Sequence, residues 1–136
     1  MLSMKKRLFL LLPCTLLLAC MHVDEKEALG TYVAQSHVNT IDTIYLEPAG
    51  TYKRRVYASD GELALSMHGK WKLSGSREIS FDGFFLNLDR DLLKYPELVM
   101  DTDRVESSIL ESSGGSLKFC VGYLEGQNCY QKVAPR

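Results

Sequence analysis

Leu63-Ala64-Leu65-Ser66-Met67-His68-Gly69-Lys70-Trp71-Lys72-Leu73 alternates without a break. Leu63, Leu65, Met67, Gly69, Trp71 and Leu73 fall on one parity, and Ala64, Ser66, His68, Lys70 and Lys72 on the other. Successive side chains of a β-strand point to opposite faces, so this run reads as a half-buried antiparallel strand with one face on a core and the other in water. Gly69 interrupts the apolar row and marks a bulge or a bend.

The same reading extends in both directions. Upstream, Ser59-Asp60-Gly61 is a turn, because Asp-Gly tolerates positive φ. Thr51 to Ala58 and Thr43 to Glu47 are strands, joined by Pro48-Ala49-Gly50 in the manner of a hairpin. Thr31 to Gln35 is a further strand. Asp24 followed by Glu27 resembles a helix start that Gly30 would end, and a plain tether fits residues 21–29 equally well. Downstream, Ser74-Gly75-Ser76 turns the chain into Ile79 to Leu86, where Phe81, Phe84 and Phe85 supply bulk. Residues 87–104 break the pattern, as a short helix ending near Lys94 before Pro96 or as a long excursion. Val105 to Glu111 is a strand, Ser112 to Ser116 a turn, and Leu117, Phe119, Val121 and Tyr123 alternate again. Gly126 lies in the last turn, and Asn128 to Val133 closes the domain. The expected fold class is all-β: an antiparallel meander of seven or eight strands curled into a small barrel or bent sheet, with room for one short helix.

The N-terminus has a different character. Lys5, Lys6 and Arg7 precede an apolar run from Leu8 to Ala19, the order of a secretory signal peptide. That run is shorter than the ~20 apolar residues a membrane-spanning helix needs. It ends in Leu17-Leu18-Ala19-Cys20, which resembles the lipobox of bacterial lipoproteins. The resemblance implies cleavage before Cys20 and lipidation of that cysteine. Acyl chains hold a protein through buried methylenes worth about 0.8 kcal/mol each. In enterobacterial lipoproteins an Asp after the cysteine retains the protein in the inner membrane. Met21 stands there instead, which implies the outer membrane, facing the periplasm. The expected organisation is a leader over residues 1–19, a lipidated cysteine and tether over 20–29, and one β domain over 30–133.

Removing 19 of 136 residues leaves 117, enough for one domain with a real core. The leader holds three of the 16 Lys and Arg and none of the 17 Asp and Glu, so 13 face 17 in the remainder, a net charge of −4. A mildly acidic chain is a poor nucleic-acid binder. Of the four cysteines, Cys14 leaves with the leader and Cys20 takes the lipid. Cys120 and Cys129 remain as an even pair in an exported chain, and a disulfide stapling the outer face of the last hairpin is the default reading.

Gly30-Thr31-Tyr32, Gly50-Thr51-Tyr52 and Gly69-Lys70-Trp71 together resemble small bacterial lipoproteins with lipocalin-like domains. That resemblance implies a barrel. Tyr52, Tyr57, Trp71, Phe81 and Phe119 are then the candidate lining of a cavity for a small apolar ligand, or else the filling of a solid core.

Catalytic patterns are missing: there is no GxSxG, HExxH, Walker or dinucleotide fingerprint. His22, His37 and His68 are far apart, and His68 sits on the polar parity of its strand. Asp101, Asp103 and Glu106, like Asp89 and Asp91, lack calcium-loop spacing and read as solvated loop. Lys53 and Arg55 share one strand face while Arg54 takes the other. With Lys70 and Lys72, the first two could form a basic patch for lipid headgroups or an acidic partner, or a plainly solvated face. The sequence therefore points to a non-enzymatic, cofactor-free and metal-free envelope lipoprotein that binds an envelope protein, with a carrier of a small apolar ligand as the alternative.

Overall fold

The computed structural model describes residues 22–35, 38–84, 105–122 and 128–135. Asp24 caps a one-turn helix, α1 (Glu25–Ala28). Its side chain accepts from the Glu27 N–H at 2.8 Å, and Glu27 reaches back to the Asp24 N–H at 3.2 Å. This reciprocal capping box satisfies two amide groups that a helix start would otherwise leave unpaired. Leu29, rather than Gly30, ends the helix. Gly30 instead opens the first strand, β1 (Gly30–Ala34).

The chain then runs through β2 (Thr40–Glu47), a 3-10 turn (Pro48–Gly50), β3 (Thr51–Ala58), β4 (Leu63–Ser74), β5 (Glu78–Asp82), β6 (Val105–Ile109), β7 (Glu111–Ser113), β8 (Ser116–Cys120) and β9 (Cys129–Val133). All ladders are antiparallel, in the order β6-β5-β4-β3-β2-β1-β9-β8-β7. The two ends of that order are neighbours in sequence. β6 and β7 are one bent run interrupted at Leu110, which is fully buried and donates its N–H to the Arg77 carbonyl at 2.8 Å. The run thus leaves β5 and joins β8. Ser108 Oγ sits across the seam, donating to the Cys120 carbonyl and accepting from its N–H at 3.2 Å. The meander forms a nearly closed barrel. The bend at Leu110 explains nine ladder segments among the described residues where sequence spacing suggested seven or eight strands, and it narrows the expected Ser112–Ser116 turn to Gly114 and Gly115.

Gly69 shows why β4 carries the fold. Up to Lys70, β4 pairs with β3; from Trp71 it pairs with β5. At the crossover, a Cβ on Gly69 would lie 2.5 Å from the Asp82 carbonyl and 2.7 Å from the Tyr52 ring. Glycine lets the Tyr52 ring lie across the strand, where its hydroxyl donates to the Asp82 and Gly83 carbonyls at 3.1 and 3.2 Å. A second irregularity corrects the sequence reading. The β3–β4 register shifts between Val56 and Tyr57, so Leu63 pairs with Tyr57 instead of continuing the inward row. Leu63 is 49% exposed, whereas Leu65 and Trp71 are buried.

The core is aromatic. Tyr32, Tyr52, Phe81, Phe84, Phe119 and Tyr130 are all buried, and their ring centroids lie 5.1–6.4 Å apart in tilted, edge-on or stacked pairs. Such pairs add about 0.5–1.5 kcal/mol each beyond area burial. One end of the barrel is closed by the N-terminal segment. Val23 and Ala28 join the core, Tyr32 Oη donates to the Ala28 carbonyl at 2.8 Å, and the Val23 N–H donates to the Ser76 carbonyl at 2.8 Å. Residues 23–29 are therefore part of the domain, not a free tether ahead of it. Among the described residues no helix is long and apolar enough to cross a membrane.

Candidate functional site

Inside the barrel lies a charged network that sequence reasoning missed. β2 and β3 pair Asp42 with Val56 and Ile44 with Arg54, which puts Asp42 and Arg54 on the inner face and diagonally adjacent. Arg54 Nε donates to Asp42 Oδ1 at 3.0 Å, and Nη2 donates to Oδ2 at 2.7 Å. Tyr130 comes from β9, opposite the small Ala34 of β1, and reaches over that strand. Its hydroxyl accepts from Arg54 Nη2 at 3.0 Å and donates to Asp42 Oδ2 at 2.7 Å. The guanidinium lies 4.4 Å from the Phe84 ring centroid, a cation–π contact. Arg54 and Asp42 side chains are both 0% exposed.

The chemistry of this network is that of fixed charge. Burial raises the Tyr130 hydroxyl well above its ordinary value, against the lowering pull of Arg54. Burial on its own lowers Arg54, but Tyr130 and the Asp42 carboxylate outweigh it and hold the guanidinium charged. Neither group releases a proton near neutrality. Desolvation also lifts Tyr32, and it pushes Tyr52 up to about 12 although nearby Arg54 pulls the other way. The only signal in the sequence was a lone basic residue on the apolar parity of β3.

The five candidate cavity residues separate. Tyr52 meets Phe81 edge-on at 5.5 Å, and Phe81 meets Phe119 at 5.2 Å. Trp71 is 4% exposed in the same core, and its Nε1 donates to the Glu47 carbonyl at 3.1 Å. Tyr57 is not with them; the register places it between exposed Ile41 and exposed Leu63 on the outer face. Tyr52, Phe81 and Phe119 thus pack on one another with Trp71 in the same core, while Tyr57 lies half-buried on the outer face.

Cys120 and Cys129 form a disulfide between directly opposed residues of β8 and β9. They have the opposite parity to the inward Phe119–Tyr130 pair, as expected for an outer staple. Cys129 is nonetheless only 5% exposed, whereas Cys120 is half-buried. His68 is exposed on β4 opposite Lys53. Glu106 is not in a loop but pairs with Phe81 in β6. Asp89, Asp91, Asp101, Asp103, His37 and Cys20 lie outside the described residues. Among the described residues, no cluster of three or more His, Cys, Asp or Glu is placed to hold a metal ion.

The basic run and the basic face of β4 do come together. Lys53 stands opposite His68 and Arg55 opposite Ser66, with Lys70 opposite Thr51, and Lys53, Arg55, Lys70 and Lys72 are all exposed. Lys53 is tied to Glu47 at 2.8 Å. No protein-family model, curated protein or solved structure matches the chain.

Proposed function

We propose that the chain is a lipid-anchored bacterial envelope protein that binds a protein partner and catalyses no reaction. The observation that carries this reading is the packing of the inward side chains among the described residues. The Arg54–Asp42–Tyr130 network and the aromatic cluster occupy the space where a carrier holds its cargo, which moves recognition to the outer surface. The lipobox-like Leu17-Leu18-Ala19-Cys20 supports the anchor. Val23 is fixed against Ser76 only three residues after Cys20. At no more than ~3.6 Å per residue, an anchored barrel would sit within about 11 Å of the bilayer, its helix-closed end towards the lipid. The remaining surface then faces the periplasm, in keeping with Met21 after the cysteine.

The test is cross-linking in the native envelope followed by purification and mass spectrometry of proteins and small molecules together. One envelope protein recovered in near-equal amount supports the binding module. A recurrent small molecule without a protein supports the second reading, a lipocalin-like carrier, which the near-closed meander barrel favours. Fractionation of Cys20→Ala tests the anchor separately: the variant should leave the membrane fraction, and an unchanged distribution rejects lipidation.

A further inference from the structure

β3 and β4 contain no Asp or Glu in a chain whose acidic residues outnumber its basic ones. They hold Lys53, Arg54, Arg55, Lys70 and Lys72, and only Arg54 is turned inward. Arg55, Lys70 and Lys72 have no ion pair among the described residues, and Lys53 alone is partly neutralised, by Glu47. The same outer face continues into an apolar row at the barrel end away from α1. Ile41, 60% exposed, pairs with Tyr57, which pairs with Leu63, 49% exposed.

At the other end of the face is a cleft of about 270 Å³ lined by Gly50, Lys70, Trp71, Lys72, Ser80 and Asp82. Ser80 is 4% exposed, and its Oγ has no hydrogen-bond partner among the described residues. A buried hydroxyl is expected to find a partner, and leaving it without one costs about 1–3 kcal/mol. Two lysine ammonium groups and an unsatisfied hydroxyl make a receptor for a carboxylate; Asp82 at the edge offsets one of the two charges. Charge combined with half-buried Tyr57 and exposed Ile41 and Leu63 on one surface is the composition of a protein interface. A bilayer at the α1 end would touch Lys70 and Lys72 but leave the Ile41–Tyr57–Leu63 row in water.

We infer that the outer face of β3 and β4 docks an acidic segment of a partner protein, one carboxylate of which enters the cleft between Lys70, Lys72 and Ser80. β3 is eight residues long, so the face extends about 27 Å, the reach of an extended segment of about eight residues. The inference rests on the protein-binding reading but is tested without the native partner. If no partner is captured in the envelope while the surface binds as follows, the failure belongs to the function and not to the surface.

The purified full chain, in neutral detergent and isotopically labelled, is titrated with a synthetic octaglutamate peptide and, separately, with phosphatidylglycerol vesicles. Octaglutamate should shift the amide resonances of Lys70, Trp71, Lys72 and Ser80. Its affinity should fall at least tenfold in the double variant K70E/K72E and less than twofold in K118E on β8. Ser80→Ala should weaken binding about threefold with unchanged circular dichroism. Shifts confined to another face, or equal losses in K70E/K72E and K118E, overturn the docking surface. Vesicle binding without octaglutamate binding overturns it in favour of lipid. An unchanged affinity in Ser80→Ala overturns the seating of the carboxylate in the cleft.

Discussion

Replacing Arg54 with Met should be among the most damaging single changes in the barrel. Met keeps much of the side-chain length but removes both donors to Asp42 and the donor to Tyr130. Asp42 would then be a buried carboxylate supported, among those bonds, by the Tyr130 hydroxyl at 2.7 Å. Breaking a buried pair from one side costs about 3–5 kcal/mol. Loss of the guanidinium over Phe84 at 4.4 Å adds up to about 2 kcal/mol. Domains of this size are stable by about 5–15 kcal/mol, so a loss of about 3–7 kcal/mol removes from a fifth to all of the stability. Its midpoint should fall by about 12–28 °C. Trp71 is the single tryptophan and is buried, so urea unfolding followed by its fluorescence reports the transition directly. The companion R54M/D42L removes both charges, and replacing a buried pair with apolar residues is often neutral or stabilising. It should recover at least half of the loss. A cost below about 1 kcal/mol for Arg54→Met, or a double variant no more stable than the single, would refute the view that this pair is desolvated and mutually dependent.

Gly69→Ala should destabilise by about 1–3 kcal/mol, because the new methyl meets the Asp82 carbonyl and the Tyr52 ring; chemical denaturation measures it, and a neutral result would mean that the crossover can relax. Cys129→Ser should cost about 2–3 kcal/mol, the modest entropy of a nine-residue separation, and reductant should destabilise the wild type by the same amount. Alkali should unfold the protein through Tyr130. Its folded pKa is raised, so its contribution is complete below the unfolded value near 10 and is lost above it, at about 1.4 kcal/mol per pH unit. Tyr32 and Tyr52, shifted the same way, steepen that loss. Absorbance at 295 nm should therefore show three of the seven tyrosines titrating only as the fold is lost; uniform titration near pH 10 would contradict their burial.

The strands were legible because alternation is a local property. Leu65, Trp71, Phe81 and Phe119 each announce their face through their neighbours two residues away. Two features were not legible, each because it depends on a partner distant in sequence. The bend at Leu110 is visible only when β5 and β8 are seen to flank one run. The Val56/Tyr57 register shift moves Leu63 out of an alternating row that looks perfect in isolation. Tyr57 is a different case: it shares the parity of Lys53 and Arg55, so alternation alone turns it to the outer face between Ile41 and Leu63, although an aromatic residue in a strand reads as core or cavity lining.

Arg54 shows the limit most sharply. Lys53-Arg54-Arg55 reads as one basic run, yet strand geometry divides it into two outer charges and one inner charge. A buried arginine is tolerable only where a carboxylate 12 residues earlier and a tyrosine 76 residues later arrive together. Their arrival requires β9 to dock on β1, since Tyr130 is on β9 and reaches Asp42 past β1. The network should therefore form late, once β9 has docked, and until then Arg54 and Asp42 remain hydrated at little cost. That docking withdraws the water and makes the pair dependent on Tyr130 Oη. Tyr130→Phe tests this order, because it deletes only the hydroxyl. It should accelerate unfolding while leaving the folding rate nearly unchanged, the pattern of a contact absent from the transition state. A slowed folding rate with unaltered unfolding would instead place β9 docking before the barrier.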